Sequence, residues 1–213
     1  MDGTITALRI QKKRANRVNV FVDEEYAFSL QDMVAAGLRR GQTLSDDEIA
    51  SLQERDAAEL AYERSLRYLS YRPRSEWELR HYLARKDTAD EAIDQTVCRL
   101  LRARLLDDVQ FAQFWVENRQ TFRPRGPWGL RSELRQKGID SAIIDSVLEE
   151  VDETKGAWAA ARRQVRRYRH LEKPVFTRRL MGFLQRRGFS YGVSREITSA
   201  LWREAQGEEN DRD

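Results

Sequence analysis

Apolar and polar residues alternate at the start of the chain, which predicts a small β-meander. The predicted strands cover residues 4–10, 18–22 and 26–30. Three short strands are only marginally stable alone, so we expect them to pack against the helices that follow them. One short helix is predicted over residues 31–36. A second helix is predicted after Ser45, because Ser45 and Glu48 form a capping-box pattern.

Beyond about residue 57 a helical pattern occurs three times. Each copy has two leucines four residues apart, a break that favours the left-handed conformation, and a second amphipathic stretch. A further apolar helix precedes each leucine pair, so three helices make one repeat. The leucine pairs are Leu79/Leu83, Leu130/Leu134 and Leu180/Leu184, and the breaks follow at Asp87, Gly138 and Gly188.

This pattern predicts a mainly α protein, in which three tandem three-helix repeats form an elongated array behind a small N-terminal β-meander with short helices. We expect the N-terminal segment over residues 1–56, the first repeat over 57–106 and the second over 107–153. The third, strongly basic repeat is expected over 154–206. A disordered acidic tail is expected over 207–213.

The charge of the chain is unevenly distributed. The formal net charge is only +3. Residues 154–204, however, contain 13 basic and 3 acidic side chains, whereas 107–153 contain 6 basic and 10 acidic ones. A local excess of this size suits contact with a polyanion or an acidic protein surface.

Several classes of protein and site are disfavoured by the sequence. No apolar run reaches the roughly 20 residues that span a bilayer, and we expect a cytoplasmic protein with no membrane contact. Cys98 is the single cysteine and is interpreted as a core thiol, so no intramolecular disulfide forms. The phosphate-binding glycine motifs and the serine-nucleophile motif are absent. His81 and His170 are isolated, so we expect no enzyme, no cofactor and no metal site.

Four segments carry a resemblance to a known family. They are YRPRSEWEL at 71–79, FRPRGPWGL at 122–130, LDDVQFAQFWV at 106–116 and ELRQKGID at 133–140. These segments resemble signature segments of RecX, a family of bacterial regulators of the RecA recombinase. The sequence departs from the usual pattern at Asp87, where a glycine is common, and at 173–175, where Lys-Pro-Val replaces Arg-Pro-Arg.

The resemblance implies tandem three-helix repeats that bind in the groove of RecA–DNA filaments. It further implies that the protein limits filament growth or stability, and that it lowers the ATPase, strand-exchange and coprotease activities of RecA. The partners expected on this basis are the RecA filament and DNA, single-stranded within the filament or contacted directly, and the protein is expected to be a monomer.

Arginines flank a proline in each of the first two signature loops, directly before a helix N-terminus that attracts anions. These loops can therefore bind phosphate or carboxylate groups. The alternative is structural: the first arginine of each pair stacks on a tryptophan or bonds the carbonyls of the preceding helix. The candidates here are Arg72, Arg74, Arg123, Arg125 and, after the second leucine pair, Lys137. Trp77 and Trp128 are interpreted as packing residues rather than base-stacking residues.

The third repeat carries the densest set of candidates. Its first helix has an apolar stripe of Trp158, Ala161, Val165 and Tyr168, which leaves the arginines on the remaining surface. We expect these arginines to face DNA in the filament or an acidic protomer surface, and the alternative is a solvated charged face. The candidates are Arg162, Arg163, Arg166, Arg167, Arg169, Arg178, Arg179, Arg186 and Arg187.

Three functions are therefore compatible with the sequence. The first is a non-catalytic regulator that binds RecA–DNA filaments and mainly inhibits them. The second is a stand-alone protein that binds single-stranded or double-stranded DNA through the basic third repeat. The third is an adaptor that docks another protein through the β segment.

Overall fold

The chain folds into two compact units, Met1–Leu106 (unit 1) and Asp107–Asp213 (unit 2). The computed structural model describes residues 3–12 and 14–210. The predicted class is confirmed, because helices dominate these ranges and the strands within them are confined to the N-terminal part of unit 1. The division between the units coincides with the expected boundary between the first and second repeats.

Unit 1 begins with an antiparallel sheet of order β3-β2-β1-β4. Its strands are β1 (Gly3–Gln11), β2 (Arg14–Val22), β3 (Glu25–Gln31) and β4 (Thr43–Leu44), with the short helix α1 (Asp32–Ala35) between β3 and β4. The predicted three-stranded meander is confirmed. The two-residue strand β4, which pairs with Gly3 and Thr4 of β1, is too short to produce an alternating pattern and was not predicted.

The meander packs against the helix that follows it, as expected. Ile5, Val20 and Leu30 are fully buried in a core that also contains Leu52 of the helix α2 (Asp46–Leu69). An ion pair of 3.0 Å joins the Arg17 guanidinium on β2 to the Asp56 carboxylate on α2. The strands therefore owe their stability to a helix that also belongs to the first repeat.

Helix α2 is longer than predicted. The helix starting after Ser45 and the helix preceding the first leucine pair are one continuous element of 24 residues. No glycine or proline interrupts it, and alanine, glutamate, leucine and arginine favour helix throughout. The capping box of Ser45 and Glu48 is confirmed. The expected segment boundary at residue 56 consequently lies inside α2.

The three-helix repeats are confirmed. The first consists of α2, α3 (Glu76–Ala84) and α4 (Asp90–Arg102) in unit 1. Unit 2 contains the second, formed by α5 (Asp108–Phe122), α6 (Pro127–Gln136) and α7 (Ser141–Glu149). It also contains the third, formed by α8 (Glu153–Tyr168), α9 (Lys173–Arg186) and α10 (Tyr191–Asn210).

All three repeats end their middle helix in the same way. The six leucines of the predicted pairs are completely buried. Asp87, Gly138 and Gly188 have positive φ values of 54°, 74° and 83°. The next residue in each copy donates its backbone N–H to the carbonyl of the second leucine, over 3.1 to 3.3 Å. This is the Schellman arrangement, in which a left-handed residue ends the helix.

Two expectations about the chain are wrong. Cys98 is exposed, because α4 turns Ile93, Val97 and Leu100 into the core and leaves Cys98 on its outer face. Residues 207–210 of the expected disordered tail belong to α10, since glutamates continue the helix, whereas 211–213 lie outside the described residues. Within the described ranges, no helix has the length and hydropathy needed to cross a bilayer.

Candidate nucleic-acid interface

The loop of the first repeat, residues 70–75, uses its arginines for internal contacts. The Arg72 guanidinium forms a bidentate pair with the Glu78 carboxylate, over 2.9 and 3.0 Å, and donates to the Pro73 carbonyl. Arg74 lies 4.0 Å above the Tyr68 ring, with its Nε buried and without a hydrogen-bond partner in the described structure. Arg72 therefore has a structural partner, but that partner is Glu78 rather than Trp77 or a helix carbonyl.

The two arginines in the loop of the second repeat, residues 123–126, have different contacts. Arg123 is exposed, and the described residues offer its guanidinium neither an ion pair nor a hydrogen bond. Arg125 pairs through Nε with Oε1 of Glu133 at 2.8 Å. The other oxygen of Glu133 accepts hydrogen bonds from Trp115 Nε1 and Arg119 Nε. Glu133 is thus occupied by three donors.

Within unit 2, this loop packs directly on the C-terminal end of α9. The Gly126 N–H donates to the Arg187 carbonyl at 3.0 Å, and the Trp128 N–H donates to the Gly188 carbonyl at 3.3 Å. A Cβ atom at Gly126, Gly129 or Gly188 would overlap the backbone of the facing segment. The three glycines therefore allow the two backbones to approach, and they place the second-repeat loop beside α9.

This contact brings four of the candidate arginines together. Arg187 donates from its guanidinium to the Pro124 carbonyl at 3.0 Å and lies 4.7 Å above the Phe183 ring. Burial lowers the pKa of Arg187, and the positive charges of Arg125, Arg123 and Arg163 lower it further. An anion bound at this cluster would reduce the mutual repulsion of the guanidinium groups.

Arg163 has a structural contact that the sequence did not indicate. Its guanidinium donates to the carbonyls of Phe122 at 2.6 Å and Thr121 at 3.2 Å, at the C-terminal end of α5. These carbonyls lie in the last turn of α5 and accept no hydrogen bond within the helix, so Arg163 caps α5. Lys137 likewise lies 5.2 Å above the Trp115 ring.

The remaining third-repeat arginines form what we call the α8–α9 basic surface. All its members are exposed side chains on two helices that pack against each other, or directly after α8. Arg162 lies 5.0 Å above the Trp158 ring, and among the described residues none of the members has an ion-pair partner. The members are Arg162, Arg166, Arg167, Arg169, Arg178, Arg179 and Arg186.

The interpretation of the two loop tryptophans as packing residues is wrong for Trp128. Its side chain is 71% exposed, whereas that of Trp77 is 43% exposed. The ring centroids of Trp77 and His81 are 3.8 Å apart. The sequence contained a signal for this exposure. A residue two positions before a buried leucine lies on the opposite side of a helix, and Trp128 precedes Leu130 by two.

Unit 2 has a second, different surface. A groove of about 840 Å³ runs between α5, α7 and α8. Its floor contains apolar side chains such as Val116, Ile143 and Val147, and the charged residues lining it are Glu117, Glu150, Asp152 and Lys155. The acidic excess makes this groove unsuitable for a polyanion, so the basic surface and the groove are chemically distinct.

The exposed arginines of unit 2 are suited to electrostatic binding. In the described part of the chain, no group of three or more His, Cys, Asp or Glu side chains is arranged to hold a metal ion. In unit 1, Nδ1 of His81 lies 2.9 Å from the carbonyl oxygen of Trp77. Exposed guanidinium groups bind phosphates or carboxylates through charge-assisted hydrogen bonds.

Family models match most of the chain. The model described as the regulatory protein RecX N-terminal domain covers residues 3–45. Those described as the first, second and third three-helix domains of RecX cover 61–100, 107–148 and 152–198. The three helical matches fall on the three repeats.

Relatives and solved structures agree with these matches. The regulatory protein RecX of Bacillus pumilus is 31% identical over 98% of this chain and 80% of its own length. That of Bacillus subtilis (strain 168) is 34% identical over 89% of this chain and 74% of its own. A crystal structure of a regulatory protein RecX is 30% identical, covers 92% of this chain and 99% of its own, and superposes with a TM-score of 0.73. The RecX structure from Lactobacillus salivarius is 25% identical over 68% of this chain and 97% of its own, with a TM-score of 0.61. The chain belongs to the RecX family of regulatory proteins.

Proposed function

We propose that this protein binds RecA–DNA filaments and restrains RecA, lowering its ATPase, strand-exchange and coprotease activities. The observation that carries the proposal is the α8–α9 basic surface, which lacks counter-ions among the described residues, in a chain of the RecX family. A nucleoprotein filament offers both DNA phosphates and acidic protein side chains to such a surface.

A regulator of this kind acts without chemistry of its own. It shifts a filament toward the states that it binds best, by no more than its difference in affinity for those states. Binding along the filament would oppose the protomer movements that hydrolysis requires, and binding at an end would block the addition of protomers. Titration distinguishes the two modes, because end binding acts at far fewer copies per RecA protomer than binding along the filament.

The test is charge reversal on the α8–α9 basic surface. Arg166→Glu with Arg167→Glu should raise the concentration needed for half-inhibition of RecA ATPase on single-stranded DNA by about ten-fold or more. Arg163 stays unchanged, because it caps α5 and its reversal would perturb the fold. Full inhibition by the folded double variant would contradict the proposal.

A matched control exists in unit 1. Arg55 and Arg67 are exposed on α2, so Arg55→Glu with Arg67→Glu changes the net charge of the chain by the same amount. We expect this control to inhibit RecA like the wild-type protein. An equal loss in both double variants would mean that total charge, rather than the α8–α9 basic surface, determines inhibition.

The exposed arginines also favour a second candidate, a stand-alone protein that binds single- or double-stranded DNA through its third repeat. Inhibition of RecA at amounts well below those that coat the DNA supports the filament, whereas inhibition only at DNA-saturating amounts supports competition for the strand. If about four phosphates of single-stranded DNA are neutralised, the salt dependence has a log–log slope near −3. Binding that does not respond to salt would indicate protein contacts instead.

A further inference from the structure

The exposed indole of Trp128 lies between two shallow grooves of unit 2. One groove, of about 390 Å³, runs between α6 and the end of α9 and includes Arg125, Arg186 and Gln185 in its lining. The other, of about 360 Å³, follows α6 and is lined by Arg131 and Arg135. Trp128, Ser132 and Gln136 line both grooves.

The charge around Trp128 is positive and only partly compensated. Among the described residues, Glu133 is the one acidic side chain that lines the grooves, and its oxygens are already bonded by Trp115, Arg119 and Arg125. Arg131 is paired with Asp145. Arg135 and Arg186 are exposed, and the described residues supply no counter-ion for either. One free guanidinium is therefore available in the lining of each groove.

We propose that Trp128 is a stacking platform for an unpaired nucleobase of single-stranded DNA, with Arg135 and Arg186 contacting the phosphates on either side. An aromatic face with cationic flanks is the arrangement by which proteins hold single strands without reading their sequence. Ser132, Gln136 and Gln185 add hydrogen-bonding groups for base edges. The inference rests on the second candidate function, direct DNA binding, and deepens it by naming a residue of the second repeat that contacts bases; it needs no recombinase.

The backbone contacts fix the segment of chain that carries the indole. The Trp128 N–H is bonded to the Gly188 carbonyl, and Leu130, two residues later, is fully buried. Pro127 precedes Trp128 at the helix start and restricts φ there. The ring is therefore presented on a rigid element, which lowers the entropic cost of stacking.

The test distinguishes binding to bases from binding to phosphates. Wild-type protein is titrated with oligothymidylate of about 30 nucleotides and with an abasic deoxyribose-phosphate strand of equal length, and anisotropy and tryptophan fluorescence are recorded. We expect oligothymidylate to bind at least five-fold more tightly and to quench fluorescence. Trp128→Ala should remove both differences, and Trp128→Phe should keep most of the preference in affinity. Equal binding of the two strands by wild-type protein would overturn the proposal.

A matched control uses the equivalent tryptophan of the first repeat. Trp77→Ala removes a half-covered ring that contacts His81, and it should leave the preference for oligothymidylate unchanged. If Trp128→Ala keeps that preference but no longer inhibits RecA, Trp128 contacts protein and the stacking proposal is wrong. If the preference is lost while RecA inhibition persists, stacking is supported and filament inhibition does not depend on it.

Discussion

The loops of the first and second repeats have nearly the same sequence but different contacts. Both read Arg-Pro-Arg before a helix whose second residue is tryptophan. In the first repeat Arg72 is held by Glu78 and Trp77 is partly covered by His81. In the second repeat Arg123 has no such partner in the described structure, and Trp128 is largely exposed.

Two substitutions between the copies account for the difference. With the copies 51 residues apart (Leu79 to Leu130), Gly129 stands where the first repeat has Glu78, and Ser132 where it has His81. Gly129 removes the acceptor of the first arginine and admits the backbone of Arg187. Ser132 cannot cover the indole. One motif is therefore held by internal contacts in unit 1 and leaves Arg123 and Trp128 exposed in unit 2.

One ion pair is common to both copies and marks what did not change. Arg80 pairs with Asp94 in the first repeat, and Arg131 pairs with Asp145 at the same offset in the second. The hydrogen bond to Asp94 is the largest cause that raises the pKa of Arg80, and the hydrogen bond to Glu76 raises it further. The link between the second and third helices is therefore retained, while the loop contacts diverge.

The largest effect is expected from breaking the glycine contact that distinguishes the second loop. Gly188→Ala places a Cβ on a residue with a φ of 83°, against the backbone nitrogen of Gly129. Left-handed strain and backbone overlap together should lower the free energy of unfolding by about 3 kcal/mol or more. Urea unfolding measures this. Gly192→Ala, where a Cβ meets no atom within 4 Å, is the control and should be neutral or slightly stabilising.

A smaller effect separates the two first arginines directly. Arg72→Ala leaves the Glu78 carboxylate, only 7% exposed, without its bidentate cation and should cost about 2 kcal/mol of unfolding free energy. The equivalent Arg123→Ala should change stability by less than about 0.5 kcal/mol, because the removed side chain is exposed and unpaired in the described structure. Equal losses in urea unfolding would mean that the two loops are held in the same way.

The sequence predicted the features that depend on local periodicity. Helix spacing identified the buried leucine pairs, and the residues able to adopt positive φ identified the helix ends at Asp87, Gly138 and Gly188. These features need only neighbours within one or two turns.

Features that depend on contacts distant along the chain were missed. The partner of Arg163 lies 41 residues away at Phe122, and the groups facing Gly126 lie near residue 188. No periodicity encodes such pairs. The exposure of Trp128 is different, because its offset from Leu130 already placed it on the outer face and packing was nevertheless the preferred interpretation.

The smallest effect is expected at Asp87, the residue that ends the middle helix of the first repeat where the other two repeats have glycine. Asp87 adopts a φ of 54° where the second and third repeats have glycine. Asp87→Gly relieves the left-handed strain but increases the entropy of the unfolded chain, so we expect a net stabilisation of only about 0.5 kcal/mol. Glu91→Gly, at an exposed position in the first turn of α4, should instead destabilise by about 1 kcal/mol, since glycine disfavours helix and the favourable interaction of the glutamate with the helix dipole is lost. Urea unfolding measures the change in the free energy of unfolding for both variants. If Asp87 is strained by its positive φ, the change is positive for Asp87→Gly and negative for Glu91→Gly. If Asp87 makes a stabilising contact that glycine cannot replace, both changes are negative.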